Sequence, residues 1–188
     1  MKRSKITILL AIVLGMTFHS CLDLEPQDQL GGKNMWTSVN DYKQFANTFY
    51  SWTRDFSSVV YDGTHSDKRS DLITYQSYNE FSRGINSIPS SDANYTDNYK
   101  HIRRTNLLLQ NAEAYAKPED IKQYIGEAYF FRAYSYFDLL QLYGDVIITK
   151  KPLDITDPEM KVKRNDRSEV VDLIIDDLNH CLLYTSPS

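Results

Sequence analysis

The sequence predicts a mainly α protein of tetratricopeptide-like helical hairpins interrupted by one long irregular loop. Three observations carry that expectation. Apolar residues recur at spacings of three and four in four separate stretches. Only 7 Gly and 6 Pro occur in 188 residues, too few for the tight turns of a β-sandwich. Aromatics make up 13% of the chain, 14 of them tyrosines, so the interior is expected to be ring-rich and partly polar.

The first residues read as an address. Lys2, Arg3 and Lys5 precede the apolar run Ile6–Met16, which at 11 residues is shorter than the roughly 20 needed to span a bilayer. This fits the central region of a secretory signal over residues 1–20. Ser20 and then Cys21 follow, leading into the acidic stretch Leu22-Asp23-Leu24-Glu25-Pro26. A small residue before a cysteine directly after a short signal is the pattern of bacterial lipoprotein processing. Cys21 is therefore expected to be the lipidated residue, and several acyl chains anchor stably where one alone is marginal. The other reading is a plain secreted protein with an incidental Cys21; no cysteine nearby offers it a disulfide partner.

Losing residues 1–20 removes three basic residues and no acidic one, which moves the net charge from −4 to −7. Nucleic-acid affinity comes mainly from Lys and Arg on phosphates, so an acidic chain without a basic run is not expected to bind nucleic acid. A neutral ligand suits it better.

Residues 21–37 are polar, with Pro26 and Gly31-Gly32, and read as a tether. The helical domain is expected over 38–180. Its first helix has Ser38 as N-cap, Asp41 in the first turn, and Tyr42, Phe45, Ala46, Phe49 and Trp52 in period. From Arg54 to about Ser91 the period lapses, and a connection of that length is commonly functional. The second helix is expected from about Asn94 to Tyr115, where Lys117-Pro118 stops it. Asn106 on its apolar side should be a buried amide satisfied by neighbouring backbone.

The third helix should open at Pro118, with Glu119 and Asp120 complementing the dipole, and end at Tyr143 before Gly144. Eight aromatics lie between Tyr124 and Tyr143, with Tyr129, Tyr136 and Tyr143 on one side and Phe130, Tyr134 and Phe137 on the other. A helix apolar most of the way round is expected to be central, with helices on both sides. Ala128 and Ala133 permit close approach. Unpaired charge would be costly there, so Glu127 and Arg132 should make internal ion pairs or carbonyl contacts. Val146–Thr149 is a short β-branched run suited to one extended edge, and 150–163 is a linker. A fourth helix should begin near Arg167, capped by Asp166 with Glu169 closing a capping box. Val170, Leu173, Ile174, Asp177 and Leu178 carry its period. Residues 181–188 (Cys181-Leu182-Leu183-Tyr184-Thr185-Ser186-Pro187-Ser188) resemble one reading frame of a sequencing adapter, and are expected to be a non-native tail interrupting that helix.

The segment Gly126-Glu127-Ala128-Tyr129-Phe130-Phe131-Arg132-Ala133-Tyr134-Ser135-Tyr136-Phe137-Asp138-Leu139, followed by Leu142-Tyr143-Gly144-Asp145-Val146, closely resembles the signature of the SusD/RagB family. Three weaker pieces stand in the right order: Cys21 to Pro26; Tyr99-Lys100-His101-Ile102-Arg103-Arg104-Thr105-Asn106; and Arg164, Ser168-Glu169-Val170 with Ile175-Asp176-Asp177-Leu178. One departure is that Ile147 and Ile148 stand where the family often has proline. The resemblance covers residues 21–180 and makes the chain the N-terminal third of a longer protein. It implies an outer-membrane lipoprotein, held by its lipid anchor and exposed at the surface, that captures a nutrient, usually a glycan. It also implies a SusC-like TonB-dependent transporter as partner.

A neutral glycan site wants aromatic faces for sugar C–H groups and planar polar side chains for hydroxyls. The long loop has this mix most densely at Tyr75, Tyr78, Asn79, Phe81 and Arg83, which are the expected ligand-binding residues. The other reading of these aromatics is that they pin the loop to the helices. No catalytic residue, cofactor or metal site is expected, and the protein is not expected to be an enzyme. No Ser/His/Asp order sits in strand–turn context, no phosphate loop occurs, and His19, His65, His101 and His180 lack ligand spacing. A helical-repeat scaffold without a small ligand, and a glycan-processing enzyme, are the alternative functions.

Overall fold

Ser38 sets the entry to the first helix. Its hydroxyl accepts the Asp41 amide while the Asp41 carboxylate accepts the Ser38 and Thr37 amides at 2.8 and 3.0 Å. This reciprocal cap satisfies amides that the first turn leaves without partners. In the computed structural model, which describes residues 35–54, 84–85, 87–154 and 156–185, α1 spans Val39–Asn47 and tightens into a 3-10 turn over Thr48–Trp52. The tightening is local. The Thr48 hydroxyl donates to the Phe45 carbonyl at 2.6 Å, competing with the α ladder at that point.

Helix α2 spans Ala93–Glu113, one residue earlier than expected at its start, because Asp92 is the N-cap and accepts the Asn94 amide at 2.9 Å. Pro118–Ile121 forms a 3-10 turn leading into α3, Lys122–Tyr143. Gly144 ends α3 with φ +71, and its amide donates to the Leu140 carbonyl at 3.0 Å. Helix α4 runs Arg167–Thr185. Asp166 caps it through the Ser168 amide at 2.9 Å, whereas Glu169 accepts from the Asn165 side-chain amide instead of serving Asp166.

The described residues from Trp36 onward make one compact unit in which α3 is central, packed against α2 on one side and α4 on the other. Both neighbours run antiparallel to it. The end of α3 meets the start of α2 through Tyr143 and Asp92, whose hydroxyl and carboxylate lie 2.7 Å apart. The end of α3 likewise meets the start of α4, where the Asp145 carboxylate accepts the Arg167 amide at 3.1 Å. The architecture is therefore the mainly α, hairpin-built class that the periodicities predict. Ile102, Ala133, Tyr136, Leu139, Val170 and Leu173 fill the junction of the three helices. Ala128 and Ala133 are fully covered, as small residues at a close helix approach should be.

Four further expectations need correction. The Phe130/Tyr134/Phe137 side of α3 is not fully enclosed: Phe130 is 41% and Phe137 47% exposed, while Tyr134 is half-buried. Val146–Thr149 forms no strand, only a single antiparallel bridge between Val146 and Asn165. Its backbone is satisfied mainly by side chains. The Tyr99 hydroxyl donates to the Ile147 carbonyl and accepts its amide at 2.8 and 2.9 Å, and Tyr136 does the same for Thr149 at 3.2 and 2.8 Å. Two tyrosines thus take the place of a partner strand. Third, Cys181 does not interrupt the last helix, since α4 continues through Leu182, Leu183 and Tyr184 to Thr185; these are competent helix residues whatever their origin. Finally, Glu127 makes no ion pair among the described residues: its carboxylate accepts from Gln123 on its own helix at 2.9 Å and interacts with the Tyr50 hydroxyl of the 3-10 turn.

Candidate functional site

The charged group expected to be tied inside α3 is found as expected. Arg132 reaches both carboxylate oxygens of Asp177 from Nε and Nη2, at 2.8 and 2.6 Å, and its Nη1 donates to Asn106 Oδ1 at 2.8 Å. The Asn106 amide nitrogen donates in turn to the carbonyls of Thr149 and Lys151 at 3.0 and 3.3 Å. Burial disfavours the charge on Arg132, but the Asp177 carboxylate more than compensates and holds the guanidinium above its ordinary range. One buried network therefore joins α2, α3, α4 and the 149–151 backbone. It holds Thr149 and Lys151 in place in the wall of one of two surface recesses, which lie on opposite sides of α2.

The first recess, about 170 Å³, lies between the end of the 3-10 turn, the first half of α2 and the open side of α3. Trp52, Asn94, Asp97, Asn98, Tyr134 and Asp138 line it. The Trp52 indole stacks on the His101 imidazole, centroids 4.0 Å apart and 13° from parallel. Burial is the main influence on His101 and lowers its pKa below the usual imidazole value, which favours the uncharged ring. Arg54 forms an ion pair with Asp138 and sets its guanidinium 5.8 Å from the Tyr134 ring centre. Flat rings beside amide and carboxylate oxygens can accept an uncharged polyhydroxylated ring, with C–H faces on the aromatics and hydroxyls on the oxygens.

The second recess, about 420 Å³, lies between α2 and the connection from Ile147 to Met160. Tyr95, Tyr99 and Arg103 stand on one side; Ile147, Leu153 and Met160 face them. No sequence signal marked it, because its far wall is the stretch read as a linker.

The residues expected to bind ligand (Tyr75, Tyr78, Asn79, Phe81 and Arg83) lie outside the described residues, as does Cys21. Arg54, the last described residue before that loop, is fastened to the first recess. Sequence reasoning missed this recess because Trp52 read as a core residue of the first helix. The available signal was Tyr134 and Asp138, one turn apart on α3, where a carboxylate interrupts an aromatic face. Among the described residues no group of three His, Cys, Asp or Glu could hold a metal ion, and no helix is long and apolar enough to cross a membrane.

Antiparallel helical hairpins of tetratricopeptide-like type carry the two surface recesses. Residues 22–186 match the SusD-like family model described as starch-binding and associating with the outer membrane. The chain belongs to that SusD-like family. It is 27% identical to the SusD-like protein P38 of Formosa agariphila, over 94% of this chain and 36% of that one. Among solved structures, a SusD-like protein from Bacteroides fragilis NCTC 9343 superposes with a TM-score of 0.65 at 23% identity, covering 85% of this chain and 32% of the other. NanU of B. fragilis gives a TM-score of 0.64 at 21% identity, with 87% and 34% covered. The chain spans about a third of the length of these relatives.

Proposed function

We propose that this protein is a surface-exposed outer-membrane lipoprotein, anchored through Cys21, that captures a glycan and passes it to a SusC-like TonB-dependent transporter. The observation that carries this reading is the recess of Trp52, His101, Tyr134, Asn98 and Asp138, which sets aromatic faces beside planar polar groups. That is the chemistry of a neutral sugar site. Family membership supports the reading, since the family is described by starch binding and association with the outer membrane.

In this reading the loop residues Tyr75, Tyr78, Asn79, Phe81 and Arg83 add to the recess at whose edge Arg54 is fastened. Capture without turnover asks for no catalytic residue, cofactor or metal. Binding of maltoheptaose to the full-length protein, followed by calorimetry, tests it. Alanine at Tyr75 and Tyr78 should weaken affinity at least tenfold, and so should alanine at Trp52 with folding intact by circular dichroism. Unchanged affinity in both variants removes the site. A protein that co-purifies with a transporter yet binds no glycan would instead be a scaffold, and release of shortened products from the sugar would make it a hydrolase.

A further inference from the structure

We propose that the apolar face shared by α3 and α4 is the seat of a further helix of the same polypeptide, supplied by the part of the full-length protein outside residues 1–188.

Helical period builds the face. On α4, Val171, Ile175 and Leu178 recur at spacings of four and three, which places them on one side. They are 37%, 52% and 39% exposed, whereas Val170, Leu173, Ile174 and Asp177, toward α3, are buried. On α3, Phe130 and Phe137 stand seven residues apart and both are exposed, with half-buried Tyr134 between them. The two rows belong to one surface. Each lies about a third of a turn past the Arg132–Asp177 seam of its own helix, counted toward higher residue numbers. Because α3 and α4 run antiparallel, rows offset in that same sense emerge on the same side of the pair. Tyr50, also exposed, extends the face along α3, with its ring 5.1 Å from that of Phe131. Burial and then Glu127 raise the pKa of its hydroxyl, and Cys181 adds to them, so α4 lies within its electrostatic reach.

A contiguous apolar patch of this kind marks an interface. Three observations name its occupant. In a stack of helical hairpins the outermost helix turns a polar face to water, which keeps the stack soluble. Helix α4 instead carries the outer face of an interior helix. Its four-and-three row is also the ridge that an antiparallel helix receives in its groove, an extension of the arrangement that already joins α2 to α3 and α3 to α4. The relatives have the chain to supply such a helix, since this one covers only 36%, 32% and 34% of their lengths. Exposed Asp172 and Asp176 border the row on α4. The covering helix should therefore carry Lys or Arg on the matching flank.

Cysteine labelling of the full-length protein, in a Cys181→Ser background, tests whether the face is covered. Val171→Cys and Leu178→Cys should react with a maleimide at least tenfold more slowly than Lys163→Cys on the exposed linker. Equal rates would leave the face open to water and overturn the proposal. A photo-crosslinking benzoylphenylalanine at Phe137 identifies what covers it. Links within one chain to residues outside 1–188 support the proposal. Links confined to residues 1–188, or made to a second copy or another protein, overturn it. Ile175→Asp should lower the thermal midpoint of the full-length protein by several degrees, because it buries a charge under the new helix. A midpoint equal to that of the parent protein would also overturn it.

Discussion

Arg132 Nη2 and Asp177 Oδ1 lie 2.6 Å apart between α3 and α4, with side chains 6% and 0% exposed. Two charges so far from water are stable only as a pair, and here they are also the junction of three helices. Removing one partner, as in Asp177→Ala, should cost about 3–5 kcal/mol in urea unfolding. Replacing both with apolar residues, Arg132→Met with Asp177→Leu, should recover most of that loss. Equal destabilisation by the single and double variants would show that the shape of the network, not its charge, holds α4 in place.

Gly144 has φ +71, and a Cβ built there would lie 2.9 Å from Arg167 Nη2. Gly144→Ala should destabilise by about 1–3 kcal/mol from backbone strain. The arginine tip can swing aside, so adding Arg167→Ala to that variant should return only a small part of the loss. Full recovery in the double variant, read from thermal midpoints, would assign the cost to the clash instead.

Tyr99→Phe deletes one hydroxyl and leaves the Ile147 amide and carbonyl without it. An unsatisfied buried group costs about 1–3 kcal/mol, so at this half-buried position the variant should be less stable by about 1 kcal/mol. Hydrogen exchange at the Ile147 amide should accelerate well beyond what the global change explains. Unaltered protection there would mean that water replaces the hydroxyl without loss.

Asp92 accepts from the Tyr143 hydroxyl first and from the Asn94 amide and side chain besides, which together outweigh its burial and keep its pKa below the ordinary 3.8. A carboxyl depressed on folding contributes stability that is present above its unfolded value and is lost as pH falls through the folded one. Acid titration should therefore loosen the contact between the start of α2 and the end of α3 only below about pH 3.8. Asp92→Asn should flatten that part of the stability curve. A curve identical to that of the parent protein would remove Asp92 as its source.

Helix positions were legible because period and caps are local. Ser38 with Asp41, Pro118 ahead of α3 and Gly144 behind it each act within a few residues, and each stands where the sequence places it. The buried fate of Arg132 and Asn106 was legible too, since an apolar surround demands a partner. Which partner was not. Asp177 is 45 residues from Arg132, and only the antiparallel packing of α3 and α4 brings them together. The open side of α3 was illegible for the same reason. An aromatic ring has the same hydrophobicity whether or not a neighbour arrives, so Phe130 and Phe137 could not declare themselves exposed.

By itself the sequence determined the four helical stretches, the caps at Ser38, Asp166 and Gly144, the central place of the aromatic helix and the family signature within it, all of which depend on residues close together along the chain. Tertiary structure alone decided that two tyrosine hydroxyls stand in for a partner strand, that Trp52 turns to His101, and that the 150–163 linker forms the wall of a recess. Those outcomes depend on distances between groups remote in sequence, which are set only when the helices pack.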